Sequence, residues 1–392
     1  MRRAFGLGVG ALLAVSHVAS CGSDHDALKK KPPSGGGAGG TELDATPDSE
    51  PDAPTDQGPD VFVEPSGTSK LTLLHGVVDA KRIAFCFSKV ADGVPQPAVG
   101  APLPSAGLAY GSTLKLAAVP GLDPTNDAVL VHVLAGDFSL LAGKSCEESL
   151  ALAKTLSEPP DAGSDAEPPD ASVADDADAD APADVVTELP PPPALRAADL
   201  PVLPAGTLSA GFSLLLAATG CIGGPAFASP SAPFICGTGY SPSTPTFGPL
   251  LVTLSRVGSS DALGLQVVNA ARAADPIDVA SSHPKGSSIP AIAVAYDVVF
   301  GSVSPRPPLL GYSATAFGSP ISASTLDVSS QGSSVPLLSS TWKDALAAGG
   351  QSDVQNGSNY AVVLLGPRPN TLEAEWWNGP KLVVLASDPV TQ

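Results

Sequence analysis

The sequence predicts an all-β fold with two immunoglobulin-like β-sandwich units, preceded by an acidic, proline-rich tether and interrupted by a second acidic tract. Short runs of β-branched and aromatic residues recur along the chain, separated by Gly- and Pro-rich turns at the spacing typical of a sandwich. Glycine and proline number 40 and 42 among 392 residues. This usage is above the ordinary level but below that of a fully disordered protein, so we expect ordered β-rich units with disordered segments between them.

The first 20 residues have the pattern of a signal peptide. Two arginines follow the first methionine, and the apolar run over residues 5–15 is too short to span a membrane. Small residues from Val18 to Ser20 then precede Cys21. This arrangement resembles the lipobox of bacterial lipoproteins, which implies that residues 1–20 are removed and that Cys21 is the lipid attachment site. Ordinary secretory cleavage, with Cys21 as a free or paired thiol, is the alternative.

If Cys21 carries a lipid, the membrane is one of the partners of this protein. A diacylglycerol on the cysteine sulfur together with an amide-linked acyl chain gives stable anchoring, whereas one chain is marginal. Gly22 follows the cysteine, in place of the aspartate that is associated in some bacteria with retention at the inner membrane. We therefore expect an exported protein that is lipid-anchored to the bacterial cell envelope, and the sequence favours the outer membrane.

The charge of the chain is concentrated in two tracts. The formal net charge is −19, which argues against a nucleic-acid partner because such a partner requires clustered Lys and Arg. The acidic residues lie mainly over residues 22–66 and 158–188. These tracts cannot bury enough apolar surface to offset chain entropy. We expect a disordered tether over residues 21–68 and a disordered insertion or linker over residues 158–198.

The cysteine count fits export. There are five cysteines, and a lipid on Cys21 leaves four, which an oxidising compartment allows to form two disulfides. Pairing of neighbours along the sequence favours Cys86 with Cys146 and Cys221 with Cys236, one of three connectivities. No Cys-x-x-Cys occurs, so neither a thioredoxin-type site nor a cysteine-rich zinc site is predicted.

The predicted strands divide into two units. The first unit is expected over residues 69–157 and 199–258, and the second over residues 259–392. Strands are expected over residues 70–79, 82–90, 112–119, 128–136, 211–220, 248–258, 263–271, 292–301, 360–367 and 380–388.

Helices are expected in only two places, residues 143–156 and 341–349. The Asn378-Gly379 pair predicts a two-residue hairpin turn before the last strand.

The two units share one sequence plan. Residues 71–87 and 263–281 each contain an apolar strand, a polar residue (His75 or Asn269), a small-residue bend and a second strand. The Tyr-containing segments at 108–114 and 310–316, and the apolar strands at 128–136 and 360–367, extend the match. We interpret this as two copies of one β-unit.

The first copy resembles a bacterial repeat family of exported and surface proteins, called domain of unknown function 4397. The resemblance rests on a strand ending in His75, a bend with Asp79 and a later turn at Tyr110-Gly111, while Ile277-Asp278-Val279 supplies the second strand of the other copy. It implies a β-sandwich and assigns no catalytic residue.

No motif for catalysis is found. Gly-x-Ser-x-Gly, His-Glu-x-x-His and the phosphate-binding Gly-rich loop are all missing from the sequence. His75, His132 and Asp79 could bind a metal if the strands bring them together, but hydrogen-bonded histidines at strand edges are the favoured interpretation. A calcium loop that started at Asp176 in the stretch "DDADADAPAD" would have Ala181 and, beyond the stretch, Thr187 where it needs Gly and Glu. We therefore predict no catalytic residue, no metal site and no cofactor.

Trp376 and Trp377 are the candidate ligand-binding residues. Adjacent residues of a strand point to opposite faces, so one of the two is expected to be exposed. An exposed tryptophan can stack on a sugar ring or cover the edge of the sandwich.

The function that the sequence favours is a non-catalytic, lipid-anchored envelope protein with a binding or structural role at the bacterial surface. The alternative is a carbohydrate-binding or accessory lipoprotein of a surface enzyme system, so the expected outer partners are a surface glycan or an envelope protein.

Overall fold

The computed structural model describes residues 70–387 with several gaps. The residues not described within this range are 117, 120, 124–125, 158–193, 208–212, 225–226, 257–260, 285–289, 310–311, 319 and 375. Strands make up 47% and helices 14% of the described residues, which confirms the all-β prediction. The predicted signal peptide, Cys21, the tether and residues 158–193 lie outside the described residues. Among the described residues, no helix is long and apolar enough to cross a membrane.

In the part of the chain that the structure describes, nine strands form the first sandwich. They are β1 (Lys70–Val77), β2 (Arg82–Ala91), β3 (Val94–Pro95), β4 (Val99–Ala109), β5 (Thr113–Leu116), β6 (Ala128–Gly136), β7 (Leu195–Asp199), β8 (Ser213–Gly220) and β9 (Gly248–Leu254). The inner sheet has the order β5-β1-β8-β9, and the outer sheet has the order β3-β2-β6-β7 with β4 also paired to β2. Residues 195–198 were expected to belong to the acidic insertion, but they pair with β6 as part of β7.

Among the described residues after β9, eight strands form the second sandwich. They are β10 (Gly264–Asn269), β11 (Ile277–Ser282), β12 (Ile292–Val298), β13 (Val303–Leu309), β14 (Thr325–Ser330), β15 (Pro336–Thr341), β16 (Asn359–Leu365) and β17 (Lys381–Ser387). The inner sheet has the order β13-β10-β16-β17 and the outer sheet β12-β11-β14-β15. This order repeats that of the first sandwich, and in both inner sheets the first strand has one parallel neighbour, β1 with β8 and β10 with β16. The immunoglobulin-like detail stays a prediction.

The two sandwiches stack through their inner sheets. Leu73 of β1 lies in the core between the two sheets of the first sandwich. Its neighbour Leu74 lies in a separate core with Val363 of β16 and Val383 of β17, between the two inner sheets. Because both faces of each inner sheet are covered, the central strands β1, β8 and β16 are buried along nearly their whole length instead of alternating. The sheets therefore form four layers, in the order outer, inner, inner, outer.

The repeat is visible at the end of the first strand of each sandwich. His75 Nδ1 accepts a hydrogen bond from Val77 N at 3.1 Å. In the second sandwich Asn269 Oδ1 accepts one from Ala271 N, also at 3.1 Å. The two different side chains thus hold the same bend in the same way.

Two parts of the predicted repeat were wrong. The counterpart of β6 is β14, and β16 corresponds to β8, because sheet order and not apolar composition defines the equivalent strands. The Tyr-containing segments are not equivalent either, since Tyr110 precedes β5 whereas Tyr312 follows β13.

Cysteines at disulfide distance attach two short helices to the first sandwich. Cys86 of β2 joins Cys146 with a Cα separation of 5.6 Å, and Cys221 joins Cys236 with a Cα separation of 5.3 Å. These are the pairs that the sequence favoured. Cys146 begins α1 (Cys146–Ser157), which covers the outer sheet, and Cys236 ends α2 (Ala232–Cys236) in the loop between β8 and β9.

A third helix, α3 (Trp342–Ala348), closes the core of the second sandwich with the fully buried Trp342. Both helices expected from the sequence, at 143–156 and 341–349, are therefore present as α1 and α3.

The acidic tract at 158–193 connects two elements of the same sandwich. It follows Ser157 at the end of α1 and precedes Leu195 at the start of β7. Ser157 Oγ donates a hydrogen bond to Leu195 O at 3.5 Å, so the residues that flank the tract are in contact. The chain leaves the first sandwich and returns to it at one point.

The described chain enters the fold at the end opposite to the loops that follow β8 and β16. Lys70 begins β1, and the bend from β1 to β2 is eight residues later, about 26 Å away in an extended strand. The loops after β8 and β16 lie at the end where β1 finishes, since β8 is parallel to β1 and the Cβ position of Gly76 lies against Leu365 at the end of β16. We call this the distal end.

Candidate binding surface

Trp376 and Trp377 lie at the distal end, in the loop between β16 and β17. Both are half-buried, and their ring centroids are 4.6 Å apart with an interplanar angle of 78°. Trp377 Nε1 donates a hydrogen bond to Leu372 O at 2.8 Å. The prediction that they point to opposite faces of a strand was wrong, because the loop here forms only an isolated bridge between Ala374 and Trp377. The two rings instead meet edge to face.

Asn378 connects this loop to the first sandwich. Its Nδ2 donates to Val78 O at 3.0 Å and to Ala80 O at 2.7 Å, and its backbone N donates to Val78 O at 2.8 Å. The predicted two-residue hairpin turn was wrong, since neither Asn378 nor Gly379 has the positive φ that this turn requires. A loop of the second sandwich is thereby fixed to the bend between β1 and β2.

The buried ion pair between Arg196 and Asp79 is linked to the Trp376 ring through Phe227. The Trp376 ring lies 5.4 Å from the Phe227 ring, and the Arg196 guanidinium lies 4.6 Å from the Phe227 centroid. Arg196 Nη1 contacts Asp79 Oδ2 at 3.0 Å, and two backbone N–H groups of the loop between β8 and β9 donate to the same carboxylate at 2.9 and 2.8 Å. A buried pair with this many hydrogen bonds fixes geometry more than it adds stability.

The Cys221–Cys236 pair lies in the apolar cluster next to the two tryptophans. Tyr240 and both cysteines belong to one buried apolar cluster, against which the two tryptophans pack. Its Oη is buried and has no hydrogen-bonding partner among the described residues. Burial, with the Asp79 carboxylate nearby, raises the pKa of Tyr240 to about 12, so the phenol is neutral at physiological pH.

Apolar side chains are exposed beside these rings. Phe234 of α2 is 60% exposed and Leu372 is 85% exposed. The Arg368 guanidinium lies 5.7 Å from the Phe234 ring centroid. We call the set of Phe234, Arg368, Leu372, Trp376 and Trp377 the aromatic surface. It combines one loop from each sandwich, and its composition is that of protein-binding sites, in which Trp and Arg are enriched.

The charged side chains beside the aromatic surface are Arg368 and the Lys81–Glu373 pair. Lys81 Nζ contacts Glu373 Oε1 at 2.9 Å, and both side chains are more than half exposed, so the pair contributes little energy. Arg368 Nε donates to Ala273 O at 3.0 Å, which orients its guanidinium.

The structure does not bring His75, His132 and Asp79 together. Asp79 pairs with Arg196, and His132 lies on the outer sheet of the first sandwich beside Asp199. His75 is fully buried at the distal end, and this burial lowers its pKa to about 3 although the carbonyl of Ala80 opposes the shift. The described residues contain no group of three potential metal ligands.

A Ser–His–Asp arrangement that the sequence did not reveal lies on the outer sheet. Ser88 Oγ is 2.8 Å from His132 Nε2, and His132 Nδ1 is 2.6 Å from Asp199 Oδ1. The burial is opposite to that of a hydrolase triad, in which the Asp is enclosed and the Ser faces the substrate. Ser88 is only 2% exposed, whereas the Asp199 side chain is 60% exposed. This arrangement satisfies buried polar groups across three strands and does not present a nucleophile.

Comparison with known proteins adds no assignment. No protein-family model matches the chain, and no curated protein matches it.

Proposed function

We propose that this protein is lipid-anchored to the bacterial cell envelope through Cys21 and has a non-catalytic binding role, for which the distal aromatic surface is the binding site. The observation that carries the proposal is the arrangement of the cysteines. The folded body uses four of the five in two pairs at disulfide distance. Disulfides favour an exported protein, and Cys21, after its run of small residues, is the fifth.

The position of the chain entry supports a binding role. Lys70 and the aromatic surface lie at opposite ends of the stack, so a body attached through its N-terminal side would carry the surface on the far side. Exposed Phe234 and Leu372, together with the Trp pair, supply the apolar contact area that a partner would bury.

Metabolic labelling tests the anchor. Cells that express the chain are grown with an alkyne analogue of palmitate, and label per amount of protein is compared between the wild type and Cys21→Ala. We expect label in the wild type and none in the variant. The Cys86→Ala/Cys146→Ala double variant is the control, since it also lacks cysteines but keeps Cys21, and it should retain the label. Label that persists in Cys21→Ala would overturn the proposal.

The carbohydrate-binding alternative rests on the same two tryptophans. A sugar platform needs an open ring face, and Trp376 uses contacts with Phe227 and Trp377 on its sides. The strongly exposed Leu372 offers no hydrogen bonds to a sugar. Protein contact is therefore the binding mode that these side chains fit better.

A further inference from the structure

Arg272 places a cation at the distal end, where the two sandwiches meet. It lies in the bend between β10 and β11 of the second sandwich, and its guanidinium is 5.1 Å from the ring centroid of Phe300. The first sandwich contacts it as well. A Cβ built at Gly237 would lie 3.3 Å from the Arg272 Cβ, and a Cβ built at Gly248 would lie 2.6 Å from its Nη2. Arg272 therefore lies at the junction between the sandwiches.

The charge of Arg272 has no carboxylate partner and no hydrogen-bond acceptor in the part of the chain that the structure describes. Its side chain is half-buried, and this burial lowers its pKa, yet a guanidinium stays charged at physiological pH. Arg196, by contrast, is paired with Asp79. A partly buried charge without a counter-charge is costly, and the Phe300 ring offsets only a part of that cost. The junction therefore holds a cation that an anionic ligand would stabilise.

The geometry of the guanidinium selects the kind of anion. Of its three nitrogens only Nε is buried without a partner, so the two Nη groups are the ones open to a ligand. Two Nη groups side by side match the two oxygens of a carboxylate, and such bidentate pairs are strong charge-assisted hydrogen bonds. One carboxylate neutralises one guanidinium, whereas a phosphate dianion would leave an excess charge next to the apolar Phe300 ring. A carboxylate therefore fits the site better than a phosphate.

The Arg272 site adjoins the aromatic surface. Ala273 O accepts the hydrogen bond from Arg368 Nε at 3.0 Å. Gly237, which contacts Arg272, follows α2, and Phe234 lies one helical turn earlier in the same helix. Phe234 is 60% exposed. The aromatic surface and the Arg272 site thus share α2.

We propose that Arg272 binds a carboxylate, which its two Nη groups hold at the junction between the sandwiches. The carboxylate belongs either to a free small acid or to a protein partner on the aromatic surface, and the two sources are separated by experiment below. Only the second source rests on the proposed binding role of the aromatic surface, and neither depends on the lipid.

Thermal unfolding tests the site. The full chain with Cys21→Ala, which removes the need for detergent, is melted in sodium propionate and in sodium chloride of equal ionic strength. A ligand that binds only the folded state raises the Tm as its concentration rises. We expect a saturable rise with propionate, and no such rise in Arg272→Met, which removes the charge and keeps an unbranched side chain. Arg306→Met is the matched control, because Arg306 is an exposed arginine of β13, and it should respond as the wild type does.

Two further variants keep the charge and change its geometry. Gly248→Ala adds a Cβ in the place of Arg272 Nη2, and the flexible end of the arginine can move away without loss of the fold. Arg272→Lys keeps a cation but lacks the two parallel donors. We expect about tenfold weaker propionate binding in each variant. Binding as in the wild type in both would show a general effect of charge and would overturn the proposal.

A capped peptide with one aspartate between two leucines separates the two sources. Tighter binding of this peptide than of propionate, lost when Asn replaces the Asp and weakened in Phe234→Ala, assigns the carboxylate to a partner on the aromatic surface. Propionate binding without peptide binding assigns it to a small acid. No rise of the Tm in the wild type, or an equal rise in Arg272→Met, overturns the proposal. The labelling result is independent of these outcomes, so failure of the anchor is distinguishable from failure of the carboxylate site.

Discussion

At the scale of single residues, the polar groups at the strand ends determine the shape of the distal end. His75 and Asn269 hold equivalent bends with different side chains, and the sequence predicted them as equivalent. The role of Asn378 could not be predicted, because its partners Val78 and Ala80 are about 300 residues away. The Ser88–His132–Asp199 chain was missed because its hydrogen-bonded partners are 44 and 67 residues apart in the sequence.

His75 makes stability depend on pH. Its pKa is lowered to about 3 in the folded protein, whereas an unfolded histidine titrates near pH 6.5. Between these values the unfolded state binds more protons, so the free energy of unfolding falls as the pH drops from about 6.5 to about 3, by up to ~1.4 kcal/mol per pH unit from this group.

The variant His75→Asn tests this dependence. Asn performs the same hydrogen bonding at position 269 and does not titrate. We expect a cost of about 1–2 kcal/mol at pH 7 from the smaller side chain, and a shallower loss of stability towards pH 4, measured by urea unfolding. Parallel pH curves for the variant and the wild type would contradict this account.

At the scale of elements, short-range pairing was predictable and weakly apolar strands were not. The two cysteine pairs and the helices α1 and α3 were predicted from local sequence. The strands β3, β4, β7, β13, β14 and β15 were missed, because their Ser-, Pro- or Asp-containing sequences have little apolar character and gain their structure from neighbouring strands. The parallel partners of β1 and β10 were also not predicted, since such pairs require long connections.

The contact between Ser157 and Leu195 predicts that the acidic tract can be removed. Replacing residues 158–193 with four Gly and Ser residues should keep the fold and raise the free energy of unfolding by up to about 2 kcal/mol, because a shorter loop costs less entropy to close. Urea unfolding measures the effect. A control that replaces residues 158–193 with 36 Gly and Ser residues keeps the length and should leave the stability near that of the wild type. Loss of cooperative unfolding in the short variant would show that the tract contributes to the fold.

At the scale of the whole molecule, two sandwiches form one four-layered body. The sequence predicted the sandwiches but not their stacking. The continuous apolar run of β1, where Leu73 and Leu74 serve different cores, was the signal, since a strand that alternates between core and solvent would not have it. The stack also explains the aromatic surface, because Phe234 comes from a loop of the first sandwich and Trp377 from a loop of the second. The surface exists only while the two remain joined.

Calorimetric unfolding of the full chain tests this central claim most directly. Because the apolar core between the inner sheets joins the sandwiches, we predict a single heat-absorption peak whose calorimetric and van't Hoff enthalpies agree. Two separate transitions, one for each sandwich, would contradict the stacked arrangement and with it the shared aromatic surface.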